Sequence, residues 1–526
     1  MVRRWFFGVL LVVIALEVLA AIYWPHGLWS LAVVIPLAVV GLYDSFQRER
    51  TILRNFPVIG HARYLLEHVR PEIQQYFIES NVDAYPIERE LRSVVYQRAK
   101  NVLETVPFGT QRDVYKVGYE WASHSLRHVD PLHEEPRVLV GGPDCTKPYS
   151  SSRLNISAMS FGSLSPAAVR ALNLGAKRGG FAHNTGEGGI SPYHEQGGDL
   201  IWQIGTGYFG CRDKEGRFSE PMFQDKANRD AVKMIEIKLS QGAKPGHGGI
   251  LPAAKVTREI ADIRGVAMGE AVISPPWHSA FDGPTGLLEF VARLRELAGG
   301  KPVGFKICIG RRSEFLSICK AMVATGITPD FISVDGGEGG TGAAPLEFSN
   351  SIGMPARDGW EFVNGALKGF GVRDRIRLFC AGKIITGFHM VRANALGADV
   401  CYSARGMMLA LGCIQALRCN TDACPTGVAT QNPALYKGLV VPTKAERVFN
   451  FHRGTIRAYL ELIAAMGLAR PEDIRPEHLS RRVDDDRVRS FRDLYDIVEP
   501  GQLLTVEGVP QDLRRDWEAA SPEVFA

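Results

Sequence analysis

From Arg153 onward the sequence alternates short apolar runs with helical patterns, and nearly every apolar run is followed by a glycine-rich polar segment. The runs are RLNISA, FAHN, MIEIKLS (234–240), AVIS (271–274), PVGFKIC (302–308), DFISVD (330–335), RLFCAG (377–382) and ADVCYS (398–403). Helical patterns separate most of them. Ser165 and Pro166 open AAVRALNLGAKRGG as a polar N-cap followed by a first-turn proline, and Thr386 and Gly397 bracket GFHMVRANAL. Eight strands alternating with helices over about 250 residues predict an α/β fold, a (β/α)8 TIM barrel. A doubly wound open sheet fits less well, because its polar segments would gather at one crevice instead of following each strand.

In such a barrel, chemistry sits on the loops at the carboxyl ends of the strands. Here those loops read SAMSFGSLS (157–165), NTGEGG (184–189), QGAKPGHGG (241–249), SPPWHSAFDGP (274–284), DGGEGGTGAAP (335–345), AGKIITG (381–387) and SARGMML (403–409). Glycine is favoured where backbone approaches a ligand closely or takes positive φ. A phosphate can be held by the N–H groups of such loops, commonly after strands seven and eight. Gly382, Lys383, Arg405 and Gly406 stand there, with Gly339, Gly340, Thr341 and Gly342 beside them. Lys244, in a Gly/Pro-rich loop, is the first candidate to pair with a substrate carboxylate. Lys306, inside an apolar strand, is a second inward cation, unless it snorkels out of the barrel end. Glu187, flanked by glycines, is a site carboxylate or a loop charge. His247 and His278 are candidate acids, with structural hydrogen bonding as the ordinary alternative.

Cys413, Cys419 and Cys424 occur as C-x5-C-x4-C, with Pro425 directly after the last. Thiolates are the usual protein ligands of iron–sulfur clusters, and three of them suit a three-iron cluster better than a four-iron one. Chance proximity and a zinc site are the alternatives, although structural zinc normally takes four ligands in CxxC-like pairs. The remaining cysteines lie in apolar contexts and read as buried residues.

The N-terminus departs from this ordinary globular composition. Trp5–Trp24 carries one charge, Glu17, and Leu28–Tyr43 carries none. As helices they would span roughly 30 and 24 Å, close to a bilayer's hydrocarbon core. Arg3 and Arg4 before them, and Arg48, Arg50 and Arg54 after, predict both ends in the cytoplasm. A cleaved signal peptide fits poorly, since a second apolar run follows without a cleavage site. The expected organisation is therefore a transmembrane hairpin (1–46), a lead-in packed on the barrel (47–149), the barrel with its cysteine loop (150–440) and a helical C-terminal extension (441–526). A net charge of +4 leaves no basic stripe for nucleic acid.

The motifs SAMSFGSLS, NTGEGG, QGAKPG, ISPP, GGEGGTGAAP and CPTGVATQ, in this order, resemble the FMN-binding synthase domain of glutamate synthase. The resemblance covers roughly residues 150–440, and within the family it is to the stand-alone, membrane-anchored large-subunit-like members of bacteria. It implies a barrel, FMN, a 3Fe-4S cluster on Cys413, Cys419 and Cys424, and reduction of 2-iminoglutarate formed from 2-oxoglutarate and ammonia. By that resemblance Ser157, Met159, Ser160, Gln241 and Lys306 would lie near the flavin ring. The glycines of GGTG and those at Gly382 and Gly406 would hold its phosphate. Lys244 would bind substrate, and Arg264 falls where the family has a carboxylate-binding arginine.

The chain also departs from the pattern. His247 and Ile250 stand where the family has a glutamate and a glutamine, and that glutamine is a substrate contact. Thr285 stands at the acidic position that communicates with glutamine cleavage. The chain starts Met-Val-Arg-Arg-Trp and is expected to lack the N-terminal-cysteine glutaminase domain, so that ammonia or an amine comes from solution or a partner. No electron donor is legible. The implied function is reductive amination of 2-oxoglutarate or a related 2-oxo acid at the bacterial inner membrane. The alternatives are a membrane-anchored flavin dehydrogenase passing electrons from another substrate to a quinone or redox partner, motivated by Ile250, Trp277 and the anchor, and a non-catalytic tethered binding module.

Overall fold

The computed structural model describes residues 2–102, 105, 107–244, 247–495 and 498–525, with backbone alone at 25–27. The chain falls into two compact units, Met1–Pro86 and Ile87–Ala526, so the segment expected as a lead-in is divided between them.

In the first unit, α-helix Val2–Tyr23 is followed by a 3-10 turn, Pro25–Ser30, and α-helix Leu31–Phe46. Both apolar stretches, Val2–Tyr23 and Leu28–Phe46, are long and apolar enough to cross a membrane. A side chain at Gly41 would sit 2.2 Å from the Phe6 ring, so a small residue lets the two helices meet there. Just beyond, the buried Asp44 carboxylate accepts from the Val58 N–H at 2.9 Å and bonds His61 Nε2 at 2.9 Å. These bonds fasten the second long helix to helix Gly60–Ile73 and to the turn before it.

The second unit is built on a closed barrel of eight parallel strands: β1 (Leu154–Ile156), β2 (His183–Asn184), β3 (Leu200–Ile204), β4 (Val232–Lys238), β5 (Val303–Cys308), β6 (Phe331–Asp335), β7 (Arg377–Ala381) and β8 (Val400–Ser403). Helices alternate with most of the strands, as the sequence rhythm requires. Helix Pro166–Gly179 shows why the local signals work: Ser165 Oγ accepts from the Ala168 N–H, Pro166 opens the first turn, and Gly180 ends the helix at φ +64°.

One strand differs from the sequence expectation. AVIS (271–274) is not in the barrel. Its Val272–Ile273 pairs antiparallel with Ile250–Leu251. The third barrel strand is Leu200–Ile204, LIWQI, buried at every residue. A run this short, buried on both faces, lacks the alternation that marks a strand, whereas AVIS has β-branched residues that serve equally well in a surface hairpin. Consequently QGAKPGHGG and SPPWHSAFDGP belong to one long excursion between β4 and helix Gly283–Leu297, and GTGYFGCRD (205–213) is the loop after β3.

Side chains fill the barrel in layers, as the alternation along each strand dictates. Ile201, Met234, Phe331, Phe379 and Val400 form an apolar floor. Two residues further along their strands, Glu236 accepts from Gln203 Nε2 (2.5 Å), Asn184 Nδ2 (2.8 Å) and Ser333 Oγ (2.5 Å). These bonds satisfy a carboxylate that would otherwise be costly to bury. Above it stand Lys238, Lys306 and Asp335, at the carboxyl ends of the strands.

The C-terminal stretch, expected to be helical, is only partly so. After helix Val441–Ala465 it returns strands Leu479–Arg482 and Val488–Ser490, which join Glu120–Ala122 in a three-stranded antiparallel sheet. Glu120 in that sheet takes ion pairs from Arg392 (2.8 Å), Arg481 (2.7 Å) and Arg357, pinning it to the barrel helices Gly387–Ala395 and Ala356–Gly369.

Candidate active site

Four ionisable groups converge where β2 and β4 end. Residues 234, 236 and 238 share the inward face of β4, so Lys238 projects toward the axis. Its Nζ meets Glu187 Oε1 of the β2 loop at 2.6 Å. The Glu187 carboxylate lies between Gly205 and Gly249, where an added Cβ would come within 2.4 Å of one or other oxygen. A side chain at either position would displace the carboxylate. Burial pushes the Glu187 carboxyl up, but Lys238, Arg264 and Lys244 outweigh that and hold it below the ordinary range.

Lys244 is 2% exposed, and its Nζ donates to the Gly248 carbonyl at 2.9 Å. Burial, and then repulsion from Lys238, brings its amine down to about 8 against the pull of Glu187. Pro245 and Gly246 of this loop lie outside the described residues. Arg264, at the end of helix Arg258–Arg264, donates from Nη2 to the Phe161 carbonyl (3.1 Å) and lies 5.2 Å from the Phe209 ring centre. Its Nε is buried without a hydrogen-bond partner among the described residues, and burial lowers the group to about 10 against the pull of Glu187. The sequence reading missed one member of this group, Lys238, and one neighbour, Phe209. Lys238 was hidden in a strand read for its apolar residues, although the spacing MIEIK was the available signal. Phe209 was hidden in the loop after the unrecognised β3.

The histidines have other tasks. His278 Nε2 donates to the Lys238 carbonyl (2.9 Å), which leaves Nδ1 to accept from Tyr208 Oη (3.0 Å). Burial brings this imidazole to about 4, so it stays neutral near pH 7 and ties its loop to the end of β4. His247 is exposed and lies 5.2 Å from the Phe348 ring.

A second group stands across the barrel mouth. Lys306 Nζ lies 3.1 Å from Asp335 Oδ2, which also accepts from the Gly242 N–H at 3.2 Å. Burial alone would depress the Lys306 amine, but Asp335 and Glu236 overcome it and raise it. Arg405 Nη2 donates to the Glu338 carbonyl at 2.9 Å, and Lys383 takes φ +55° in the β7 loop, its amine lowered by burial and then by Arg405. Ser157 is buried, its N–H bonded to the Ser403 carbonyl (3.1 Å). Met159 and Gln241 are half-buried, and Ser160 Oγ bonds Ser163 Oγ at 3.0 Å.

The rim glycines serve packing more than the sequence suggested. A Cβ on Gly382 would sit 2.5 Å from Ala356, one on Gly406 2.5 Å from Ser403 Oγ, and one on Gly339 3.0 Å from Gly242. Gly340 faces Arg405 at 3.5 Å and Gly342 faces Cys419 at 3.2 Å. The β6 loop meets the β4 loop at Gly242 and the segment after β8 at Arg405, and glycine permits these close approaches. Thr341 beside them is exposed.

Helix Arg405–Leu411 stops at Gly412 (φ +109°) and leads into the cysteine loop. Gln415, Leu417 and Asp422 there hold left-handed backbone at φ +57°, +55° and +59°, a conformation that side-chain-bearing residues keep only when their surroundings require it. Cys413 Sγ accepts from the Gln415 N–H at 3.4 Å, and Cys424 Sγ lies 3.5 Å from Thr426 Oγ1. The three thiols lie within electrostatic reach of one another. Burial, then Cys419 and Cys424, push Cys413 up to about 11, against the Gln415 N–H. Burial and Cys424 also raise Cys419, whereas hydrogen bonds to the Cys424 sulfur overcome its burial and lower it. Among the described residues no group of three or more Cys, His, Asp or Glu side chains is poised to hold a single metal ion. Thiols are the donor type that an iron–sulfur core takes.

Residues 129–469 match the family model described as the conserved region in glutamate synthase. The chain is 36% identical to the glutamate synthase large subunit-like protein YerD of Bacillus subtilis, over 91% of this chain and 98% of that one. It is 33% identical to the archaeal glutamate synthase [NADPH] of Archaeoglobus fulgidus, over 61% of this chain and 60% of that one. It is 34% identical to the glutamate synthase [NADPH] large chain of Bacillus subtilis, over 60% of this chain and 20% of that one.

Proposed function

The chain belongs to the family defined by the conserved region of glutamate synthase and is an oxidoreductase of that type; from that premise we propose that it reduces the imine formed from 2-oxoglutarate or a related 2-oxo acid and ammonia or an amine. The observation that carries this reading is the charge at the ends of β2 and β4. Three cations, Lys238, Lys244 and Arg264, surround one carboxylate, Glu187. A dianionic oxo acid would balance the excess, and charge-assisted hydrogen bonds at its carboxylates would orient the carbon between them.

FMN, when bound, would supply the hydride. Ser157, Met159, Ser160, Gln241 and Lys306 would border its ring, with Gly339, Gly340, Thr341, Gly342, Gly382, Lys383, Arg405 and Gly406 toward its phosphate. Lys383 and Arg405 give that region the positive charge a phosphate requires. A 3Fe-4S cluster on Cys413, Cys419 and Cys424 would supply one-electron transfer to the flavin from a donor yet to be identified. Lys244 binds a substrate carboxylate, and its amine, near 8, is suited to hold or release a proton at Nζ around neutral pH. Glu187 aims the Lys238 amine through their 2.6 Å ion pair.

The test is anaerobic. Protein reduced with dithionite is mixed with 2-oxoglutarate and ammonium, and flavin reoxidation with stoichiometric glutamate is expected. A reduced flavin that persists across a panel of 2-oxo acids and amines rejects the amination. The two apolar helices favour one further reading: a cell-membrane enzyme with the barrel on the cytoplasmic side, oxidising another substrate and passing electrons to a quinone. Substrate-dependent quinone reduction by the detergent-purified chain would select it.

A further inference from the structure

Lys255 lies outside the charged group described above and carries no substrate role there, yet it is 2% exposed. It ends the 3-10 turn Ala253–Lys255, directly after the hairpin strand Ile250–Leu251. Its Nζ donates to the carbonyls of Cys419 (2.8 Å), Ala429 (2.9 Å) and Ser163 (3.4 Å). An ammonium has three donors and no acceptor, so all three are engaged, and every acceptor is main chain. Ser163 belongs to the loop after β1, while Cys419 and Ala429 lie on either side of Cys424. One side chain thus joins the β4 excursion, the β1 loop and both limbs of the cysteine loop.

We propose that Lys255 is a positioning residue for the cysteine loop, fastening it to the barrel and lending positive charge to an iron–sulfur group held there. The fastening is needed because Gln415, Leu417 and Asp422 keep left-handed backbone that the loop would relax if released. The charge is the second half. Asp422 and the sulfurs of Cys419 and Cys424 lie within electrostatic reach of the ammonium. The Asp422 carboxylate is engaged elsewhere, by the Gln431 N–H (2.7 Å) and Thr430 Oγ1 (3.2 Å). The three carbonyls satisfy the ammonium's donors without neutralising its charge. An iron–sulfur core bearing three thiolates is the negative partner that would balance it. Reduction adds one electron to such a core, so a nearby cation favours the reduced form and raises the potential.

The electrostatic half rests on the cluster reading in the proposed function, whereas the fastening does not, and two measurements separate them. In the full-length, iron-free protein, alkylation of Cys419 by iodoacetamide, followed by mass spectrometry, is expected to be about tenfold faster in Lys255→Met than in the wild type or Lys255→Arg. In the protein reconstituted with iron and sulfide, an EPR-monitored redox titration is expected to show a roughly tenfold smaller reduction equilibrium constant in Lys255→Met, about 59 mV for one electron, with Lys255→Arg near the wild type. Unchanged alkylation overturns the fastening, and an unchanged midpoint at full iron content overturns the charge effect. Wild-type protein that takes up no iron overturns the cluster reading and with it the charge effect, leaving the alkylation result to decide the fastening. Lys255→Gln replaces the methionine variant if the latter does not fold.

Discussion

Lys244 and Lys255 belong to the same excursion after β4, are equally buried, and make opposite use of their amines. Among the described residues Lys244 gives one hydrogen bond, to Gly248, and it faces the charges of Glu187 and Lys238. Lys255 gives three, all to main-chain carbonyls of other loops. Burial therefore does not identify a catalytic lysine. What distinguishes the two is whether the donors are already satisfied by the protein. A satisfied ammonium is part of the framework, while one with donors in hand and an adjacent charge field is prepared for a ligand.

That contrast is tested most severely at Glu187. Removing it in Glu187→Ala leaves Lys238, Lys244 and Arg264 facing one another without their shared carboxylate. Breaking a buried pair this way costs about 3–5 kcal/mol, so a large fall in the urea midpoint is expected. A midpoint close to wild type would mean that water already screens the group and that Lys244 is not held in a charge field.

The two lysines should then separate in opposite measurements. Lys255→Met strands carbonyls at Ser163, Cys419 and Ala429, at a cost on the order of 3 kcal/mol, and should lower the urea midpoint. Among the described residues Lys244→Met strands only the Gly248 carbonyl, and it should shift stability by no more than about 1 kcal/mol. It should nevertheless lower kcat/KM for the oxo acid roughly 30-fold, the loss of one charge-assisted hydrogen bond of about 2 kcal/mol. If both variants lost stability alike and turnover alike, the contrast drawn here would be wrong.

The sequence exposed these features unevenly, for physical reasons. The barrel was legible because capping residues such as Ser165 and Thr386, and stops such as Gly180 and Gly397, act locally. β3 was not, because LIWQI is buried on both faces and shows no alternation, while AVIS carries strand-forming residues in a hairpin. Lys244 and Glu187 were noticed by glycines next to them in sequence, whereas the glycines against the Glu187 carboxylate, Gly205 and Gly249, come from other loops. Much of the other rim glycine reflects loops meeting loops, a tertiary fact that no local pattern encodes. Lys255 was invisible for the same reason: in AAKVT it reads as a surface lysine, and only the return of the cysteine loop, far along the chain, supplies its acceptors.

The pH dependence sharpens the picture of Lys244. Its folded-state amine near 8 lies below the ordinary lysine value of about 10.4. Between those values the unfolded chain binds more protons, so this group contributes stability that grows as pH rises from about 8 toward about 10.4. Substrate binding runs the other way, because a carboxylate pairs with the ammonium. KM for the oxo acid should rise about tenfold per pH unit above about 8, and the rise should disappear in Lys244→Arg, whose charge persists. A KM flat across that range in the wild type would remove Lys244 from the binding site.

The smallest expected effect comes from a substitution that touches neither lysine. Ser165 caps helix Pro166–Gly179 through its side chain, while its own N–H donates to the Val428 carbonyl at 2.9 Å. Ser165→Ala keeps the main-chain bond to the far limb of the cysteine loop and deletes only the cap, for about 1 kcal/mol. It should therefore lower the urea midpoint slightly, without changing Cys419 alkylation or kcat/KM. Should alkylation of Cys419 accelerate in this variant as it does in Lys255→Met, the loop would be responding to general loosening of the barrel, and the particular hold assigned to the Lys255 ammonium would lose its support.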